Sequence, residues 1–374
     1  MWSLLLAHAL LGGGGGTPDV TVEGRVDEGS APRLDGWEEL DRAITALTTL
    51  DPDSSPFSYG ILLRAFFTTS PAEAKAVNDD EDVSGNVLED ADAYFAYREG
   101  DVAWRLSADF DSGEPELEDA WARWQHWPGL ALSAGQFKPR VTRSGSVPPD
   151  EMLFRERTFL GAAFDDWDDG VELGGHYDQW DYWLSVTDGA NGEQSDHFAS
   201  ARVEWALYDS AFADREGARG SPNLLRALLG VCWFQDASQS NSDGDGYGGD
   251  LALTFGPYAF HAEWADLGEE FARTIDVFNG FLITLGDGQP RSATLSRLVG
   301  DEAEVAARYE NADDVESTEA FGVAASWMPG GGPARFVADV QMVEGDTRDF
   351  SLFSVGIVLG TSGLTRPYLG ARLP

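Results

Sequence analysis

From Phe57 onward, apolar and polar side chains alternate with a period of two, the pattern of strands with one dry face and one wet face. Val102, Trp104, Leu106, Ala108 and Phe110 alternate with Ala103, Arg105, Ser107 and Asp109. Ala199, Ala201, Val203, Trp205 and Leu207 alternate with Ser200, Arg202, Glu204 and Ala206. The rhythm recurs twice more, with Glu304, Arg308 and Glu310 opposite Val305 and Tyr309, and with Arg335 and Asp339 opposite Phe336 and Met342. A soluble sandwich strand looks the same in isolation. Repetition of charge on one face only, over crossings of about 9–11 residues, fits a wall between lipid and water. Trp124, Trp127, Trp180 and Trp183 fall near predicted strand ends, where an aromatic girdle belongs.

The predicted connections alternate between short and long, as in outer-membrane barrels. Gly100-Asp101, Pro128-Gly129, Asp178-Gln179 and Gly256-Pro257 are tight joins; Thr68–Asn86, Arg140–Asp168 and Asp236–Gly248 are longer. The short set is expected at the periplasmic side and the long set outside. The pattern counts to about seventeen strands, one more than an even barrel allows, and the surplus is expected within Ser351–Leu373. Upstream the period is helical: Leu34, Trp37, Leu40, Ile44 and Leu47 predict a short amphipathic helix in a periplasmic segment, residues 17–55. Residues 1–16 read as a signal-like or disordered leader, with a short apolar run and a small-x-small site at Ala7-His8-Ala9. Residues 56–374 are the expected barrel.

Composition narrows the choice. No apolar run of about 18 residues follows the N-terminus, so no transmembrane helix is predicted. The chain has 43 Gly, 13 Trp, 21 Phe and 10 Tyr but a single cysteine, Cys232, which suits an exported all-β protein without disulfides. A net charge of −40 repels nucleic acid and anionic lipid and excludes both as partners. Aromatic residues at 12% argue against disorder. Lys75 and Lys138 are the two lysines, so nearly all positive charge is arginine.

The stretch Leu130–Gly192 is the most specific. Leu130-Ala-Leu-Ser-Ala-Gly-Gln-Phe-Lys-Pro139 opens into a loop carrying Phe154-Arg-Glu-Arg157, which closes into Asp169-Gly-Val-Glu-Leu-Gly-Gly175 and then Tyr182–Gly192. Two strands framing a long, internally charged loop are how a channel builds a constriction. The block resembles the phosphate-selective porin O and P family, and Glu304-Val-Ala-Ala-Arg-Tyr309, Phe278–Gly286 and Phe321–Trp327 extend the likeness across Phe57–Leu373. The resemblance implies an all-β transmembrane antiparallel barrel of about 16 strands, a homotrimer, with an inward-folded constriction loop. It places Lys138, Arg140, Arg143, Arg155 and Arg157 on that loop beside Asp150, Glu151 and Glu156, the clearly positive island of an acidic chain. These cations either line an anion path or pair with carboxylates and pin the loop.

Two departures argue against phosphate selectivity. Where the family has arginine, this chain has Asp165, Asp166, Asp168 and Asp169, which would face the island with opposite charge. On the wall, Arg105 shares a face with Asp109, Arg123 with Asp119, Arg202 with Glu204, and Arg308 with Glu304 and Glu310; Arg335 and Asp339 complete the set. Neighbours two apart on a strand face, as in Arg202–Glu204 and Arg308–Glu310, lie about 6–7 Å apart, and each wall arginine is expected to be compensated. The chain also stops at Leu369-Gly-Ala-Arg-Leu-Pro374 instead of a terminal aromatic residue, which such barrels commonly carry.

Other chemistry is thin. Asn241, Asp243, Asp245, Gly246 and Tyr247 follow the spacing of a calcium loop, but Ala252 stands where a bidentate Glu is needed, and an Asp-Gly turn explains the same residues. No catalytic signature occurs, the five histidines share no ligand spacing, and no cofactor is expected. The expectation is a bacterial outer-membrane porin surrounded by lipid, passing small hydrophilic solutes or ions with weak, cation-leaning selectivity. The alternative is a non-conducting surface β protein, an adhesin or a carbohydrate-binding sandwich; two packed sheets with an apolar interior would mark that outcome.

Overall fold

The computed structural model describes residues 56–70, 83–127, 129–189, 197–207, 214–221, 223–237, 244–277, 281–331, 334–346 and 349–360. The expected leader and the helix around Leu34–Leu47 lie outside the described residues. The strands are β1 (Phe57–Ser70), β2 (Val83–Glu99), β3 (Val102–Asp109), β4 (Glu116–Trp127), β5 (Leu130–Phe137) and β6 (Asp168–Tyr177). They continue with β7 (Trp180–Thr187), β8 (His197–Leu207), β9 (Arg226–Ala237), β10 (Gly244–Phe255), β11 (Tyr258–Leu267) and the short pair β12 (Arg273–Val277) and β13 (Phe281–Leu285). The last five are β14 (Arg291–Val299), β15 (Ala303–Asn311), β16 (Glu319–Trp327), β17 (Ala334–Glu344) and β18 (Asp349–Gly360).

Sixteen of these close into one antiparallel barrel, in which each strand pairs with the next along the chain and β18 pairs back onto β1, from Leu62 opposite Gly360 to Thr69 opposite Phe353. Closure leaves no edge with unpaired backbone groups, the condition for strands to cross a membrane. It also rules out the two-sheet sandwich. β12 and β13 pair only with each other, Arg273 opposite Leu285 through Val277 opposite Phe281, inside the β11–β14 connection. The surplus strand therefore lies there. It does not lie in Ser351–Leu373, whose described part belongs to one barrel strand. Phe281, Ile283 and Leu285 have the alternation of a wall strand, but their apolar face is buried in the barrel interior.

Inside and outside follow the period of two. On β8, Ser200, Arg202 and Glu204 are buried inside, while Val203 is exposed outside. β15 and β17 behave likewise, with Glu304, Arg308, Glu310, Arg335 and Asp339 inward and Val305, Tyr309, Phe336 and Met342 outward. Away from the strand ends, where Glu344 closes β17, the exterior of these strands carries no charge, which is what hydrocarbon demands. Rings gather at the short-join ends of the exterior: Phe57 on Tyr97 at 4.8 Å, Trp124 on Trp127 at 5.7 Å, Trp180 on Trp205 at 5.3 Å and Trp327 on Phe336 at 5.5 Å. Trp183 is not part of this girdle. It lies an odd number of residues from Trp180, so it points inward and is buried.

The Asp236–Gly248 connection is shorter than expected, because β9 runs to Ala237 and β10 begins at Gly244. Inward Gly246 makes this possible: a Cβ there would lie 2.4 Å from the Phe234 ring. Phe234 is fully buried and centres an apolar cluster in the long-loop half of the barrel, with Phe164 at 4.8 Å and Phe271 at 5.3 Å. Asp245 accordingly sits in strand β10 opposite Gln235. The calcium-loop reading fails on that geometry for Asp245, and Asp243 is outside the described residues.

Candidate pore constriction

The β5–β6 connection folds into the barrel. Two one-turn helices, α1 (Arg143–Ser146) and α2 (Phe159–Ala163), stiffen it. Thr142 Oγ1 accepts from Gly145 N–H and Thr158 Oγ1 from Gly161 N–H, the usual N-cap arrangement. The wall then adds a carboxylate to each start: Glu263 accepts from Arg143 N–H at 2.7 Å and Glu310 from Phe159 N–H at 2.6 Å. A negative group at a helix start offsets otherwise unpaired N–H donors, so these wall acids fix where the loop lies.

The basic residues of the loop are all engaged. Lys138 pairs with Asp165, and its ammonium stands 3.8 Å from the centre of the Trp167 ring. Arg157 also takes Asp165 and donates to Ser144 O at 2.9 Å. Arg140 is held between Glu204 at 3.0 Å and Asp214 at 2.7 Å, stacked on inward-facing Trp183. Arg143 lies 3.6 Å from Asp214. Arg155 reaches Glu89 at 2.6 Å and Glu156 at 3.1 Å. The geometry is that of pinning.

The loop acids behave differently from one another. Asp165 bridges two cations, Asp166 is exposed 3.6 Å from Arg273, and Asp168 is buried, accepting from Gly189 N–H at 2.8 Å. Asp169 does not face the loop cations. It follows an inward residue on β6, so alternation turns it to the exposed outer face. Burial pushes the Glu156 carboxyl up to about 7, with Arg155 opposing the shift and Glu89 adding to it.

The wall residues expected on the inner face all lie there, but several pairs differ. Arg105 bonds Asp119 across the β3–β4 ladder at 2.7 Å and does not pair with Asp109, whose Oδ1 accepts from Ala91 N–H. Arg202 joins Glu204 at 2.8 Å and also Asp250 at 2.7 Å; Arg308 joins Glu310 at 2.8 Å. Glu304 takes Ser296 Oγ at 2.7 Å and Ala218 N–H at 2.6 Å in place of Arg308. Asp339 accepts from Gln341, and Arg123 and Arg335 are buried without an ion pair among the described residues. Cross-strand register decides these partners, and one strand's spacing cannot show it.

On β2–β4 several carboxylates stay open to water. Asp90, Asp92, Asp109 and Glu118 line the inner face of β2–β4 half-exposed, while loop side chains Lys138 and Arg155 are 2% exposed and Asp165 is 27% exposed. Among the described residues, Asp92 and Asp109 form no ion pair, while Glu118 lies in the field of Lys138. Of this strip the sequence pointed to Asp109 alone; Asp90, Asp92 and Glu118 were not expected, nor were Glu89, Asp214, Glu216, Asp250 and Glu263. An acid on an inward alternation position with no basic neighbour two residues away, as at Glu263, was the available signal.

No family model matches the chain, and no curated protein matches it. Solved structures match in fold. Outer-membrane expressed OmpT of Vibrio cholerae shares 14% identity with TM-score 0.54, covering 83% of this chain and 99% of that one. A mutant of the Rh. blastica porin shares 12% identity with TM-score 0.51, covering 82% of this chain and 100% of that one. In-vitro folded OmpT of Vibrio cholerae, in its trimer form, shares 14% identity with TM-score 0.54 over 82% of this chain and 99% of that one. The fold is therefore that of a porin-like outer-membrane barrel.

Proposed function

We propose that this protein is a diffusion porin of the bacterial outer membrane, a channel rather than an enzyme, which passes small hydrophilic solutes and ions and favours cations. The observation that carries the reading is the inverted accessibility of charge. Every cation of the inward loop is held by a carboxylate and buried, while Asp92 and Asp109 stay partly open with no ion pair among the described residues. An anion ladder needs accessible, uncompensated guanidinium groups, and the loop supplies none. The sequence resemblance to the phosphate-selective porin O and P family supports the architecture; its phosphate chemistry does not carry over to these residues. The trimer form of the similar OmpT supports a homotrimer here.

The test is reconstitution in planar bilayers, with zero-current potentials measured across a KCl gradient. Conduction with a cation-selective potential is expected, together with no current block by inorganic phosphate. Absence of any conductance would sink the porin reading, and an anion-selective potential would sink the preference.

A further inference from the structure

The β8–β9 connection starts at the short-join end of the barrel, where Ala206 N–H donates to Gln179 O beside the Asp178-Gln179 turn. Its residues 214–221 nevertheless turn into the interior and meet the deep part of the constriction loop, which enters from the other mouth. Glu216 is buried, accepting from Leu153 N–H at 2.7 Å, and its own N–H donates to Glu151 O at 3.3 Å. Arg219 Nη2 reaches both Glu151 carboxylate oxygens at 3.2 Å, and Arg215 stands 3.7 Å from the same group. On the wall side, Ala218 is fully buried and donates to Glu304 at 2.6 Å. Gly217 packs so closely that a Cβ would lie 2.5 Å from Glu304 Oε2. Asp214 caps the arrangement, holding Arg140 through two bonds of 2.7 and 3.1 Å and lying 3.6 Å from Arg143.

We infer that segment 214–221 is a strap that sets the constriction from the opposite mouth, and that Asp214 is a selectivity determinant of the pore. The inference rests on the porin reading. Arg140, Arg143 and Arg202 are linked to Glu204, Asp214 and Asp250, so the six charges cancel. Without Asp214 the group is left with one surplus positive charge beside the path. The Glu216 and Arg219 contacts act on position instead: they hold Glu151 and Leu153, and releasing them frees the loop from below while leaving the arginine compensation intact.

Two variants separate these roles in single-channel recordings of the full chain. D214N is expected to lower the cation-to-anion permeability ratio roughly two- to fourfold at low salt, the effect of one unscreened charge near the path. D214E, which keeps the charge, should restore the ratio. The E216Q/R219Q double variant should raise unitary conductance while leaving the ratio near that of the parent. Heat-modifiable gel mobility confirms that each variant is folded. If the parent conducts and both variants match it, the strap has no such role. If the parent and both variants are all silent, the porin reading itself fails. A silent parent beside a conducting E216Q/R219Q variant would identify the strap as the closing element.

Discussion

Neutralising the acidic strip on β2–β4 tests the selectivity argument most directly. In the D92N/D109N variant two carboxylates become near-isosteric amides at positions that are half-exposed and form no ion pair among the described residues. A charge about 7 Å from a passing ion contributes about 0.6 kcal/mol in water. Screening at 0.1 M salt, where the Debye length is about 10 Å, roughly halves it. Two such charges contribute about 0.6 kcal/mol, or about threefold in local cation concentration. An anion gains by the same factor, so the permeability ratio should fall by up to about eightfold. The assay is the zero-current potential across a KCl gradient, repeated near 1 M salt, where a Debye length of about 3 Å should erase most of the difference. An unchanged potential at low salt would refute the reasoning. So would a shift that persists undiminished at high salt, because that would report an altered backbone and not a field.

Three further outcomes follow from buried groups. Glu156, pushed up to about 7 by burial, is ionised above that pH and neutral below it, so cation preference should fall between pH 8 and pH 6, and E156Q should flatten the profile. Arg202 has a fully buried side chain between Glu204 and Asp250. R202A strands Asp250, while Glu204 keeps Arg140, and should cost about 3–5 kcal/mol in denaturant unfolding followed by tryptophan fluorescence; a loss under about 1 kcal/mol would show that water reaches the site. F234A removes the centre of the apolar cluster against Gly246 and should cost about 3–5 kcal/mol in the same assay.

The wall could be read from the chain because its two solvents differ so sharply. Lipid tolerates no charge and water tolerates plenty, so each of the strands carrying Arg105, Arg202, Arg308 and Arg335 declares its inward face through period-two alternation alone. The same local rule placed Trp183 in the girdle and Asp169 at the constriction until parity along β6 and β7 was respected. It could not tell Phe281–Leu285 from a wall strand, because an apolar interior and a lipid exterior reward the same side chains.

By itself the sequence determined a β-barrel with charged inner positions and a long basic loop between β5 and β6. Tertiary structure alone decided what those charges do. Arg105 finds Asp119 on the next strand, Arg140 is shared by the wall and by Asp214 on another connection, and Arg155 finds Glu89 on β2. These carboxylates are far from their partners in the chain and are brought to them by barrel closure and by two connections folding in from opposite mouths. Electrostatic energy depends on separation in space and on burial, and neither is written in the order of residues. That is why the position of the positive loop was legible and its neutralisation was not.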